Sequence, residues 1–196
     1  MRIPHRIFGA LLLAASAGAT PLAAQTARAD SAAQGFFWGV LAGAGHGAAS
    51  CEQFSMNLTK VLATMQDDQL KRFATGWADW WDDSYRWDLW GAAYIINGGA
   101  SDDGFDYFRG WLLTQGFQQW ERARRHPDTA FGELEPGTIA ECEDVVVVLP
   151  NAYEARFHEE APDLGAKEPT GTRWSESDLP RRFPALTRRF GGSQAP

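Results

Sequence analysis

The sequence is poor in the residues and motifs from which most active sites are built. It holds two cysteines and four histidines in 196 residues. Cys51 and Cys142 stand far apart. They lack the close pairing that metal sites use, so no metal site is expected. There is no G-x-S-x-G, no H-E-x-x-H, no phosphate loop and no dinucleotide fingerprint. His46 sits between glycines, as a loop residue. His126 precedes Pro127 in a turn, and His158 follows a helical pattern with no Ser or Cys nucleophile beside it. No cofactor is implied. Positive charge is also scarce, with 18 Lys and Arg against 25 Asp and Glu. An acidic chain repels nucleic-acid phosphates and anionic membrane surfaces, so nucleic acid is not an expected partner.

Long apolar runs are absent except at the start. Arg2, His5 and Arg6 precede an apolar run from Ile7 through Leu11, Leu12 and Leu13 to Ala19, and small residues follow. That three-part pattern is a secretory signal. The run is shorter than the roughly 20 residues that a spanning helix needs. Cleavage is expected after Ala24 or after Ala29, where Ala27-Arg28-Ala29 forms an A-x-A site. The first 29 residues carry three Arg and no acid, so their loss leaves 15 basic against 25 acidic residues, a net charge of −10. The mature chain then has no membrane-span candidate and is expected to be periplasmic or secreted. Export makes a Cys51–Cys142 disulfide possible, with two buried thiols as the alternative.

What the sequence does have is aromatic mass. It contains nine Trp and twelve Phe, and Trp77, Trp80, Trp81, Trp87 and Trp90 crowd one stretch. Hydrophobic residues make up 44% and charged residues 22%, enough for a core. The length suggests one domain, over residues 30–196. Helical stripes recur along it. Phe54, Leu58, Val61, Leu62 and Met65 form one; Leu70, Phe73, Trp77, Trp80, Trp81 and Ser84 form the next, with a break near Ser84. Asn97-Gly98-Gly99 ends a helix, and Ser101 N-caps another, with Asp102 and Asp103 in its first turn. Phe105, Phe108 and Leu112 make one face of it. Residues 139–149 fit either a buried strand or a helix. Residues 159–178 read as a long loop, and Arg181, Arg182, Arg188 and Arg189 as a solvated tail facing the acidic body. The expected fold is all-α, with five or six helices.

The run Arg86-Trp87-Asp88-Leu89-Trp90-Gly91-Ala92-Ala93-Tyr94, the turn Ile96-Asn97-Gly98-Gly99 and the helix Ser101–Leu112 carry a specific resemblance. Glu141-Cys142-Glu143, Ala152-Tyr153-Glu154 and Leu179–Pro184 add to it. Together they resemble a bacterial domain of unknown function, family 4240, over roughly residues 36–190. The resemblance implies helical structure and carries no activity or catalytic residues. The export signal and the early Cys51 depart from the family's pattern.

Two groups of residues invite a functional reading. Asp102, Asp103, Asp106 and Arg109 lie on neighbouring turns of one helix, where close carboxylates can support acid–base work or hold a cation. Ordinary helix construction also places acids there. Asp79, Asp82, Asp83 and Asp88 interleave with the tryptophans, an arrangement that suits sugars or cationic ligands but also describes a core stripe with a solvated back. Of adjacent Trp80 and Trp81, one is expected to look outward. The expectation is a non-enzymatic exported domain that binds a protein partner or small ligand at the central helix–turn–helix. Trp87, Asp88, Asp102, Asp103, Asp106 and Arg109 would line that site. The alternatives are a hydrolase or lyase acting on an envelope polymer through clustered Asp residues, and a purely structural domain.

Overall fold

The computed structural model describes residues 22–45, 50–162 and 168–191. Most of the expected signal segment and His46 lie outside them. Helix α1 spans Leu22–Ala44 and passes through both expected cleavage points. Helices α2 (Cys51–Ala63), α3 (Asp67–Ser84), α4 (Trp87–Asn97), α5 (Asp102–Thr114) and α6 (Phe117–Arg125) follow. After a run of turns come α7 (Glu143–Val146), α8 (Val148–Phe157), the 3-10 turn Glu176–Asp178, α9 (Leu179–Arg182) and α10 (Pro184–Phe190). The fold is all-helical, but the helices outnumber the five or six expected. Proline accounts for part of the surplus: Pro184 begins α10 where its missing N–H costs nothing, which divides the C-terminal segment in two. Among the described residues no helix is long and apolar enough to cross a membrane.

Local chemistry explains the boundaries. The Ser50 hydroxyl accepts the Gln53 N–H at the start of α2, and that of Ser101 accepts the Gly104 N–H at the start of α5. Gly98, at φ 75°, ends α4 in the left-handed region that favours glycine. Residues 139–149 resolve toward helix. Val145 and Val148 are buried three residues apart while Val147 is exposed, the spacing of a helix rather than a strand.

One cluster of buried side chains runs from Phe37 in α1 to Phe190 in α10. The tryptophans are its mortar. Both Trp80 and Trp81 are buried, so neither looks outward. Helix α3 is packed on two sides: Trp80 meets Trp120 of α6 edge-on, and Trp81, stacked on Trp77 of its own helix, lies under the Arg109 guanidinium of α5. Trp87 stacks on Trp90, and Trp90 on Phe105. Asp79, Asp82 and Asp83 form an exposed face behind this stripe.

The C-terminal segment is not a solvated tail. Leu179, Phe183, Leu186 and Phe190 are buried, and their spacing of four, three and four is a helical stripe. Phe183 packs onto Gly91 of α4 so closely that a Cβ there would lie 2.6 Å from its ring. Three of the segment's four arginines serve local ends instead of the acidic body. Arg182 donates to the carbonyls of Thr172 and Arg173, Arg189 to that of Leu134, and Arg181 pairs with Asp178. The long connection before it is pinned by Thr170, which bridges to Arg86 in the α3–α4 link, and by Trp174 against Trp87 and Tyr94.

Candidate functional site

The six residues favoured by sequence do not form one site. Arg109 is 2% exposed and acts as a strut. Its Nε donates to Ser84 Oγ at 2.9 Å, one Nη to Asp106 Oδ1 at 2.6 Å, and the other to the Trp81 carbonyl. The guanidinium lies 3.8 Å from the Trp81 ring centroid. A cation there meets the open carbonyl end of α3 and completes its last turn. Burial pulls the Arg109 pKa down to about 10 despite the Asp106 partner. Burial also raises the Asp106 carboxyl above its ordinary range, against the opposing pull of Arg109, and the charges of Asp103 and Asp102 add to the rise. Asp102 and Asp103 are exposed at the start of α5. Asp88 takes a bidentate pair from Arg86 and accepts the Leu89 N–H. It faces a separate cleft with His126, Asp128, Arg182 and Phe183. Trp87 is half-buried in the aromatic stack. Among the described residues, no group of three or more metal-ligating side chains comes together.

A different concave surface, between α2 and α8, is the larger opportunity. It is a groove of about 740 Å³ floored by Leu62, Leu70 and Val148. Its walls include Met56, 47% exposed, and Val147, 49% exposed. That volume lies in the ordinary range of ligand sites.

The groove is clamped at both ends by its own chemistry. At one end Cys51 and Cys142 are joined by a disulfide, with Cα atoms 5.4 Å apart. Cys142 is set in place from the other side, because its N–H donates to the Tyr107 carbonyl of α5. Gly110 admits this approach: a Cβ there would lie 2.5 Å from the Cys142 carbonyl. Asn97 holds Ala140, two residues before Cys142, with its side chain accepting the Ala140 N–H and donating to the Ala140 carbonyl. At the other end Arg156 of α8 donates to the Ala63 and Met65 carbonyls at the end of α2 and pairs with Asp67 at 2.8 Å. Helices α2 and α7 therefore start at the disulfide, and α8, which continues from α7, carries Arg156 in its last turn against the end of α2. The rise along α2 from Glu52 to Ala63 gives the groove a length of roughly 16 Å.

Among the described residues three charged side chains line it: Glu52 and Asp144 beside the disulfide, and the engaged Arg156 opposite. Ser55 is buried at 6% exposure, and its hydroxyl has no hydrogen-bond partner among the described residues. Sequence reasoning missed this site because its residues lie on segments about 90 positions apart. The available signal was the cysteine pair, since Glu52 and Asp144 sit one and two residues from its members.

The family model described as Protein of unknown function (DUF4240) matches residues 34–155. The chain belongs to this family. The matched stretch takes in α2 to α7 and most of α8, and so the Arg109 strut and the groove lining apart from Arg156, and it stops short of α9 and α10. No curated protein and no solved structure matches the chain.

Proposed function

We propose that this DUF4240 member is an exported binding domain whose ligand lies in the α2–α8 groove. One observation carries the reading: a 740 Å³ groove with an apolar floor, exposed Met56 and Val147 on its walls, and an unpartnered hydroxyl at Ser55. Exposed apolar surface gathered in one concavity is a place where ligand burial gains free energy, and a flexible Met adapts to the ligand's shape. A buried hydroxyl without a partner costs about 1–3 kcal/mol and favours a bound group that satisfies it. Binding rather than catalysis fits the lining, since among the described residues the Ser55 hydroxyl has no hydrogen-bond partner and no histidine borders the groove. Export is supported by the charged, apolar and small-residue order of the first 29 residues, and by a disulfide that an oxidising compartment would preserve.

The test is a thermal-shift screen of the purified chain against amphiphiles, sugars, peptidoglycan fragments, polyamines and nucleotides. Two variants run beside it. Ala155→Trp fills the groove from an exposed position, and Asp103→Asn alters the central turn. A ligand at about 100 times its Kd stabilises by about 2.7 kcal/mol. Loss of that shift in Ala155→Trp alone supports the groove. Loss in Asp103→Asn alone moves the site to the start of α5.

A further inference from the structure

Resting on the groove reading, we infer that the ligand is a small amphiphile with a cationic head, held at the disulfide end between Glu52 and Asp144. The charges on the rim carry the first part. Glu52 and Asp144 are exposed, line the same groove and are brought to one end by the Cys51–Cys142 bond. Neither has an ion-pair or hydrogen-bond partner among the described residues. Each complements the start of its own helix, which accounts for one acid per helix. Helix construction does not account for two unneutralised carboxylates on one rim. The cation that lines the groove, Arg156, sits at the far end, and Asp67 and two carbonyls occupy it.

The second part is what lies between the ends. From the acidic rim the groove runs over Ser55, then over the hydrocarbon of Leu62, Val148 and Leu70. A head group with N–H donors can bridge the two carboxylates, and the Ser55 hydroxyl can turn toward a polar atom at the neck. The tail then covers Met56 and Val147. Its length is bounded by the roughly 16 Å of α2. An anionic amphiphile of the same size would set its charge against both acids. One placed the other way round would meet an arginine already neutralised.

The experiment is isothermal titration of the full chain, below micelle formation, with decylammonium, decanoate and decyl maltoside. Wild type, Glu52→Gln/Asp144→Asn and Ala155→Trp are compared, with circular dichroism to confirm the fold. Decylammonium is expected to bind wild type most tightly. Its Kd should rise about tenfold in the double variant, since exposed pairs contribute modestly, and binding should vanish in Ala155→Trp. Decanoate should gain in the double variant. If decanoate or decyl maltoside binds wild type as tightly as decylammonium and Ala155→Trp abolishes it, the cationic head is wrong and the groove stands. If no probe binds, or if Ala155→Trp leaves binding intact, the groove reading falls as well.

Discussion

Replacing Arg109 by Met tests whether the central charged cluster is a fold element. The side chain is 2% exposed, and Met fills much of its volume without its charge. The change removes three hydrogen bonds and the stacking on Trp81. It leaves the Asp106 carboxylate without its cation and the end of α3 without the guanidinium share of its cap. Ser84 Oγ still donates to the Trp81 carbonyl at 2.8 Å, which preserves part of that cap. Breaking a buried pair by removing one partner costs about 3–5 kcal/mol. The Asp106 side chain is 40% exposed and can rehydrate, which places the cost near the lower bound, about 3 kcal/mol. For a chain of this size that is a fall in Tm of about 6–12 °C. Arg86→Met is the matched control. Its pair with Asp88 has side chains 27% and 31% exposed and should cost less than about 1 kcal/mol. Urea denaturation followed by tryptophan fluorescence reads both variants. If Arg109→Met is as mild as Arg86→Met, the strut interpretation is refuted.

Three further outcomes are expected. Gly110→Ala should lower the urea midpoint by the equivalent of at least about 2 kcal/mol, because its Cβ meets a carbonyl pinned by the disulfide rather than a side chain free to turn. Converting Cys51 and Cys142 to Ser should cost about 4.5 kcal/mol in the chain-entropy model for a separation of 91 residues. Calorimetry of the oxidised chain against this variant measures that cost. Asp106 supplies a pH dependence. Its carboxyl is raised in the folded state, so the folded chain holds this proton more tightly than the unfolded chain does. Its contribution therefore improves as pH falls from neutral through the raised pKa toward the ordinary 3.8. Wild type should gain stability relative to Asp106→Asn between about pH 7 and about pH 4, as read by denaturant titration. An opposite trend would mean that Arg109, not burial, dominates the site.

What the sequence determined by itself is local. Helical class follows from the 3.6-residue stripes: Phe54, Leu58 and Leu62 on α2, and Leu70, Phe73 and Trp77 on α3, are buried where the period puts them. The caps at Ser101 and Gly98 follow from side-chain chemistry that acts within four residues. The stripe Leu179–Phe183–Leu186–Phe190 was legible in the same way, though the arginines between its members suggest solvent. Tertiary structure alone decided which acids matter and how. Asp106 and Asp102 look alike in sequence, and only the arrival of α3 buries Arg109 beside one of them. Likewise Glu52 and Asp144 become neighbours because Gly110 lets the Cys142 backbone reach α5 and the disulfide draws α2 to it. A groove between two helices depends on contacts across 91 residues of chain, and no periodicity within either helix encodes the other's position.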